Sequence, residues 1–221
     1  MNDKKILRIY KKLYKSFGKQ YWWPAKTKLE VIIGAMLTQN TAWSNVEKAI
    51  GNLRKNKKLS FKKLYKIKTD KLAVLIKPAG YFNIKAKRLK NLLEFIKSRY
   101  NGNLENMQRE NTQALRGQLL SVNGVGPETA DSILLYALDK PVFVVDAYTK
   151  RIFSKIGIIS SNATYEDIQE FFMNNLKRDT YLFNEYHALI VKLGKDYCKK
   201  NRPNCKACPI KEEICSVPTG S

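Results

Sequence analysis

Apolar residues recur at helical spacing along almost the whole chain, and this periodicity restricts the fold more than any other feature of the sequence. The strongest run follows the i, i+3, i+4, i+7 pattern of a helix with a buried face: Leu29, Ile32, Ile33, Met36 and Leu37. Similar spacing recurs in four further segments: Leu7, Tyr10, Leu13 and Phe17; Leu89, Leu92, Leu93 and Ile96; Ala130, Ile133, Leu134, Ala137 and Leu138; and Leu182, Leu189, Ile190 and Leu193 within 181–197. Only Pro141–Val145 has an extended pattern, and it is too short to build a sheet. The sequence therefore predicts an all-α fold with short connections.

The charge balance is strongly basic. Among 221 residues, Lys and Arg number 41 and Asp and Glu 19, which gives a net charge of +22. On a folded chain this charge favours a nucleic-acid partner, although a lysine-rich proteome would give the same composition. A hydrophobic content of 44% suits a packed core rather than a disordered polycation. No run resembles a transmembrane helix or a signal peptide, so we expect a cytoplasmic protein without a membrane partner.

All four cysteines lie near the end of the chain, in the pattern C-x6-C-x2-C-x6-C: Cys198, Cys205, Cys208 and Cys215. Without signs of secretion, disulfides are not expected. Four thiolates in one loop suit tetrahedral zinc or a [4Fe–4S] cluster. The spacing alone does not decide between these two groups.

A glycine-rich turn separates two predicted helices around residues 119–130. Gly124 and Gly126 permit a tight hairpin with positive φ, and Pro127 suits the first position of the following helix. Backbone amides at such a helix start can bind a phosphate without reading base sequence. An ordinary helix-loop-helix turn would have a similar sequence.

Gly124-Val125-Gly126, the later Val145-Asp146 and the four-cysteine loop together resemble the helix-hairpin-helix (HhH-GPD) DNA glycosylase superfamily, in its endonuclease III branch. The resemblance covers nearly the whole chain, from Leu29 to Cys215. It implies two helical lobes, double-stranded DNA containing a damaged base as the partner, and a [4Fe–4S] cluster rather than zinc. The last cysteine spacing is one residue longer than the family's usual x5. We expect a monomer with one lobe over 27–140, including the helix-hairpin-helix motif at about 115–138, and a second over 1–26 plus 141–221, including the cluster loop 198–215.

Asp146 and Glu128 are the two carboxylates that the resemblance assigns to the chemistry. By sequence alone Asp146 is an N-cap; the family implies that it also stabilises charge at C1′ and directs water. Glu128 stands where bifunctional relatives have the lysine that forms a Schiff base. A carboxylate cannot form an imine, so a monofunctional enzyme is predicted. The alternative for Glu128 is that its negative charge only stabilises the N-terminal turn of its helix.

The tryptophans suggest a stacking slot. Trp22-Trp23-Pro24 and Trp43, together with Glu128 and Asp146, are similar to the 3-methyladenine DNA glycosylases related to endonuclease III, and Lys195 stands where that subgroup has a pocket lysine. Electron-rich indoles favour a cationic alkylated purine. Core packing is the alternative for the aromatic residues, and a solvated surface position is the alternative for Lys195.

Further residues match the family's DNA-contacting positions. Asn40 and Tyr81 correspond to side chains that enter the duplex, although Tyr81 could instead pack under its turn. Lys85, Lys87, Arg88 and Lys90 are predicted to meet phosphates. The single histidine, His187, is expected to be structural. The preferred function is excision of 3-methyladenine in prokaryotic base excision repair; the alternatives are a glycosylase for a mismatched, deaminated or oxidised base, and a non-catalytic DNA-binding iron–sulfur protein.

Overall fold

The computed structural model of the protein describes residues 2–214 and contains no β-strand in that range, which confirms the predicted all-α class. In chain order the α-helices are α1 (Asn2–Phe17), α2 (Lys28–Leu37), α3 (Trp43–Lys55), α4 (Phe61–Lys66), α5 (Thr69–Leu75), α6 (Phe82–Tyr100), α7 (Leu104–Arg109), α8 (Thr112–Leu120), α9 (Pro127–Ser132), α10 (Ala147–Lys155), α11 (Tyr165–Asn175), α12 (Thr180–Asp196) and α13 (Lys211–Ile214). A 3-10 turn spans Lys77–Ala79, and α9 continues as a π-helical turn over Ile133–Ala137. Within the described range, no helix combines the length and apolarity that crossing a bilayer requires.

The chain forms two compact units. The central unit is Trp23–Lys140, and the terminal unit combines Met1–Trp22 with Pro141–Ser221. The sequence prediction placed the first boundary between residues 26 and 27. The boundary lies earlier because the indole of Trp23 packs inside the central unit, against Trp43 and Tyr136.

Helix α2 is the core of the central unit. Every residue from Leu29 to Leu37 is buried, so its neighbours α3, α6 and α9 with its π-helical turn surround it. Thr27 caps the helix by accepting from the backbone N–H of Glu30. The buried carboxylate of Glu30 accepts in turn from Arg54 at 2.9 Å. A polar group inside this core is therefore paired, as burial of a charge requires.

Aromatic side chains build the core of the terminal unit. Phe143 stacks on Phe172 with ring centroids 4.1 Å apart, and Phe153, Phe183 and Tyr186 pack against this pair at their edges. Rings in such offset and edge-to-face arrangements stabilise a core beyond the area that they bury.

Two details of the terminal unit differ from the sequence pattern. The buried face of α1 carries Ile6, Ile9 and Leu13, whereas the predicted core residue Leu7 is 38% exposed. The prediction was wrong because Tyr186 fixes the rotation of α1 by donating its hydroxyl hydrogen to the Ile6 carbonyl at 2.7 Å. The extended run Pro141–Val145 is an irregular segment with Val142 to Val145 buried.

Candidate active site

The predicted hairpin lies between α8 and α9 in the central unit. Gly124 has a φ of +96°, and Gly126 is the extended residue at which α9 begins. A Cβ atom on Gly124 would lie 2.2 Å from Cγ of Arg88, so glycine is required by space as well as by conformation. Val125 is buried beneath the turn. The hairpin lies where the sequence predicted it, but of its two glycines only Gly124 has the expected positive φ, since the φ of Gly126 is −96°.

Two polar groups fix the hairpin from inside the unit. Nε2 of Gln39 donates to the Gly124 carbonyl and to the Thr129 hydroxyl, both at 3.0 Å. Arg88 holds the same amide by donating to Oε1 at 2.6 Å. Arg88, predicted to meet a phosphate, is therefore half-buried and supports the hairpin through Gln39. This use of Gln39 was not predicted, because an amide next to a turn has no sequence signature.

The two residues predicted to enter the duplex both project from turns of the central unit. Asn40 and Tyr81 have φ values of 51° and 45°, in the left-handed region that non-glycine residues rarely adopt. Tyr81 is 70% exposed, and Asn40 is also exposed. Exposure of Tyr81 argues against the alternative that its ring packs under the turn.

The ammonium groups of two predicted phosphate contacts bind oxygens of the protein in this structure. Lys85 is 2% exposed, and its ammonium donates to oxygens of Leu37, Thr41 and Ala79. Lys90 donates to the carbonyls of Leu64, Tyr65 and Ile67, at the C-terminal end of α4. Both lysines lie on faces of α6 that meet other helices, so their ammonium groups bind backbone carbonyls instead of solvent or phosphate. Lys87, on the outer face, is exposed as predicted.

Trp23 and Trp43 form an aromatic cluster with Tyr136 in the central unit. The rings of Trp23 and Trp43 are 5.1 Å apart and nearly perpendicular, and the ring of Tyr136 lies 5.1 Å from Trp23. All three side chains are half-buried. Gly34 in α2 makes room for them, since a Cβ atom there would lie 3.2 Å from Nε1 of Trp23.

Tyr136 was missed by sequence reasoning. It lies outside the apolar i, i+3, i+4 series of its segment, in the π-helical turn that follows α9. The extra residue of a π-helical turn shifts the register of the helix, so a regular 3.6-residue pattern does not predict which way Tyr136 points. Of the other predicted pocket residues in the central unit, Pro24 is exposed and Glu128 lies in the first turn of α9.

Trp22 belongs to the terminal unit, although it adjoins Trp23 in sequence. Its half-buried indole lies beneath the ammonium of Lys195, which is 5.9 Å from the ring centroid. This arrangement is a cation–π contact. Two residues that the resemblance assigned to the base pocket, Trp22 and Lys195, are therefore in contact within the terminal unit.

Asp146 is the N-cap of α10 in the terminal unit. Its Oδ1 accepts from the backbone N–H of Thr149 at 2.8 Å and from the Thr149 hydroxyl at 2.9 Å. Its Oδ2 lies 3.6 Å from Nε2 of His187 in α12, and the Asp146 side chain is 12% exposed. Burial would raise the pKa of Asp146, but the nearby His187 and the two donors of Thr149 outweigh burial and lower it. The carboxylate is therefore held ionised at neutral pH.

His187 was expected to have only a structural role, yet it is the side chain that faces the second oxygen of Asp146. It is buried in α12 and held within the terminal unit. A single histidine next to the apolar run Ala188–Val191 was the only signal in the sequence, and that pattern is also typical of a core histidine.

The cysteine loop follows α12 in the terminal unit. Cys198 is half-buried, Cys205 exposed and Cys208 buried, whereas Cys215 lies outside the described residues. Burial raises the pKa of the Cys208 thiol, and the thiols of Cys198 and Cys205 raise it further. Between residues 2 and 214, however, no three His, Cys, Asp or Glu side chains are grouped closely enough to hold a metal ion.

Ion pairs hold the end of this loop. Glu213 of α13 accepts from Nε and Nη2 of Arg8 at 2.9 and 2.8 Å, and from Lys12 at 3.1 Å. These bonds attach α13 to α1. At the start of the loop, Arg151 donates to the carbonyls of Gly194 and Cys198 and thereby caps the C-terminal end of α12.

The chain is similar to known DNA repair proteins. A family model described as HhH-GPD superfamily base excision DNA repair protein matches residues 33–178. MJ1434 of Methanocaldococcus jannaschii, whose name ascribes DNA repair glycosylase activity to it, is 54% identical over 209 residues, or 94% of each chain. The H. pylori 3-methyladenine DNA glycosylase MagIII, solved with 1,N6-ethenoadenine, matches with a TM-score of 0.73 and 31% identity over 87% of this chain and 97% of its own. A trapped covalent complex of endonuclease III with DNA has a TM-score of 0.81 at 20% identity, covering 95% of this chain and 93% of that one, which is a likeness of fold alone.

Proposed function

The chain belongs to the HhH-GPD superfamily of base excision DNA repair proteins, and on this premise we propose that it is a monofunctional DNA glycosylase that releases alkylated purines such as 3-methyladenine. The observation that carries the proposal is the fixed, ionised carboxylate of Asp146 at the start of α10. The similarity to a 3-methyladenine glycosylase over most of the chain supports the choice of substrate.

Asp146 supplies the negative charge that cleavage of an N-glycosidic bond requires. As the bond between C1′ and the base nitrogen breaks, its electron pair leaves with the base and positive charge develops on the sugar. A preorganised carboxylate stabilises that charge without having to reorganise. It also orients water, whose oxygen bonds to C1′ while its proton passes to the carboxylate or to solvent. His187 and Thr149 hold the carboxylate for this role.

Glu128 supports the monofunctional assignment. It occupies the first turn of α9 directly after the hairpin. Unlike lysine, glutamate has no amine that could attack C1′ and form a Schiff base. Water is then the nucleophile, and the DNA strand remains intact after the base leaves. The carboxylate of Glu128 can also offset the positive charge of an alkylated purine.

The tryptophans support a cationic substrate. Trp23 and Trp43 present half-buried indoles, and cations bind to indole faces more strongly than to other aromatic rings. An alkylated purine carries its own positive charge and is a good leaving group, so a strong general acid is unnecessary. The proposed chemistry thus needs few groups besides Asp146 and water.

The cysteine loop is proposed to hold a [4Fe–4S] cluster through Cys198, Cys205, Cys208 and Cys215. The donor set supports this assignment, because the four cysteines lie within residues 198–215 and iron–sulfur clusters are bound by thiolates. When bound, the cluster would cross-link the loop. Replacement of Cys198 by Ser should remove the visible absorbance of the purified protein and destabilise the terminal unit; colourless wild-type protein that contains zinc would contradict the cluster.

The test of the activity is base release from alkylated DNA, with the products identified by chromatography. Duplexes containing thymine glycol, uracil or a G·T mismatch serve as parallel substrates, each analysed with and without alkali. We expect 3-methyladenine to be released and strand breaks to appear only after alkali treatment. Release of a different base would contradict the alkylpurine assignment, and breaks without alkali would contradict the monofunctional one.

Asp146→Asn provides the matched control. The substituted amide keeps an oxygen that can cap α10 but removes the charge, so base release should fall at least about 100-fold while DNA binding persists. If Asp146→Asn is as active as wild type, Asp146 is excluded as the catalytic carboxylate.

A further inference from the structure

The buried ammonium of Lys85 joins two separate turns of the central unit. Lys85 is 2% exposed, and Nζ donates to the Leu37 carbonyl at 2.8 Å, the Thr41 hydroxyl at 2.6 Å and the Ala79 carbonyl at 2.8 Å. An ammonium has three N–H groups, so these three acceptors use all of them. Burial of a lysine is costly unless the charge is satisfied in this way.

The acceptors explain why a cation suits the site. The Leu37 carbonyl is at the C-terminal end of α2, and the Ala79 carbonyl is at the end of the 3-10 turn. Carbonyls at helix ends lack intrahelical partners and carry partial negative charge. The Thr41 hydroxyl, which accepts from Lys85, donates to Ala79 at 2.6 Å and closes a triangle of hydrogen bonds. We call Lys85, Thr41 and the carbonyls of Leu37 and Ala79 the lysine clasp.

The clasp brackets the two residues assigned to duplex entry. Asn40 lies between Leu37 and Thr41, and Tyr81 is two residues beyond Ala79. Both are exposed and have left-handed backbone conformations, which cost free energy in non-glycine residues and persist only where surrounding contacts fix them. The lysine clasp links the two turns from which Asn40 and Tyr81 project.

We propose that Lys85 is a positioning residue for strand opening: the lysine clasp fixes the spacing of the two turns, so that Asn40 and Tyr81 enter the duplex together. The inference rests on the proposed function and on the family resemblance, which implies that these two side chains enter the duplex. Lys85→Met leaves the three clasp oxygens without their donor, so it costs stability whether or not Lys85 positions the turns. A role in positioning further predicts that Lys85→Met impairs DNA opening even where the protein remains folded.

Lys90 provides a matched control on the same helix. It also donates to carbonyls at the end of a helix, but these belong to α4 and its C-cap region rather than to the two turns. Lys90→Met therefore removes a comparable set of hydrogen bonds without touching the lysine clasp. If both lysines were merely structural, both variants would behave alike.

The experiment uses a duplex with a tetrahydrofuran abasic-site analogue and 2-aminopurine in the opposite strand, next to the unpaired position. Dissociation constants are compared with those for the intact duplex, and 2-aminopurine fluorescence is read at saturating protein, at a temperature where each variant is folded. We expect the preference for the abasic duplex, given by the ratio of the two dissociation constants, to fall about tenfold in Lys85→Met. Most of the fluorescence change should also be lost. Lys90→Met should keep both.

Retention of the wild-type preference and fluorescence change by Lys85→Met would overturn the proposal. If that variant does not fold, Thr41→Val tests the same clasp, since it removes the hydroxyl but preserves the side-chain volume; unchanged opening by this variant would overturn the proposal equally. The abasic duplex contains no target base, so these results do not depend on the lesion. Failure of wild-type protein to prefer the abasic duplex would instead contradict the proposed function.

Discussion

Asp146 shows how one residue can serve both the fold and the chemistry. One carboxylate oxygen caps α10 through Thr149, and the other faces His187. Capping is a sufficient reason for aspartate at this position, which is why the sequence alone left its role open. The structure adds burial and an imidazole neighbour, and these distinguish Asp146 from a simple solvent-exposed cap.

The first prediction concerns the ionisation of Asp146. Its pKa in the folded protein is lowered, so the ionised carboxylate stabilises the folded state. This stabilisation is fully present at a pH above the unfolded-state pKa, about 3.9. It is lost as the pH falls through the folded-state pKa. Replacing His187 by Phe or Thr149 by Val removes one of the groups that lower this pKa. Each variant should raise the pKa of Asp146 and begin acid unfolding at higher pH.

Carbon NMR titration of the Asp146 carboxyl group, together with acid unfolding followed by fluorescence, measures both effects. Thr164→Val is a suitable control, because Thr164 caps a different helix, α11, by accepting from the backbone N–H of Asp167. An Asp146 pKa that is unchanged in both test variants would show that neither His187 nor Thr149 governs this carboxylate.

At the scale of helices and turns, local chemistry predicted the boundaries well. Pro127 begins α9 after the glycine hairpin, Asp146 caps α10, and α12 spans Thr180–Asp196 where the sequence predicted a helix over 181–197. Each of these features depends on residues within a few positions of one another. Proline, glycine and capping side chains act at that range, so the sequence contains the necessary information.

Features that depend on distant residues were not predictable in this way. A lysine in an amphipathic helix is normally solvated, and only the packing of α6 against α2 and the 3-10 turn shows that Lys85 is buried. The rotation of α1 similarly depends on Tyr186, which lies far along the chain. The contact between Trp22 and Lys195 was not predicted, because spacing along the chain does not indicate it.

The packing of α10 against α12 leads to the second prediction. A Cβ atom on Gly194 would lie 2.2 Å from Cδ1 of Tyr148, so Gly194→Ala forces these helices apart. Overpacking of this kind costs about 1–3 kcal/mol of unfolding free energy. Denaturant unfolding measures the loss. Gly51→Ala in α3 is the control, because its Cβ meets nothing within 4 Å and alanine should stabilise the helix by up to about 1 kcal/mol; equal losses in both variants would contradict the packing explanation.

The attachment of α13 to α1 leads to the third prediction. Glu213 is 5% exposed and accepts hydrogen bonds from Arg8 and Lys12. Glu213→Gln removes the negative charge and therefore weakens the hydrogen bonds to both residues at a buried position. We expect a loss of about 1–2 kcal/mol and faster proteolysis beyond α12. Asp196→Asn, which breaks the exposed pair with Lys192, should cost less than about 0.5 kcal/mol. Similar losses in the two variants would show that Glu213 does not fix the end of the cysteine loop.

For the whole molecule, the excess of basic over acidic residues determines the charge that a partner meets. Glu30, Asp131, Glu185 and Glu213 are buried and bind groups inside their own units. Three of these carboxylates pair with an arginine, which leaves the net charge unchanged. With a net charge of +22, the protein surface is suited to the phosphate backbone of DNA, the partner of its family.

The dependence of DNA binding on salt separates surface lysines from buried ones and is the fourth prediction. Each phosphate contact contributes about −0.9 to the slope of log K against log salt concentration. Lys87 is exposed, so Lys87→Met should make the slope for an intact duplex shallower by about that amount. Lys85→Met should leave the slope unchanged, because its ammonium binds three protein oxygens. A shallower slope for Lys85→Met, with none for Lys87→Met, would mean that the buried lysine reaches the phosphate and that the lysine clasp opens on DNA.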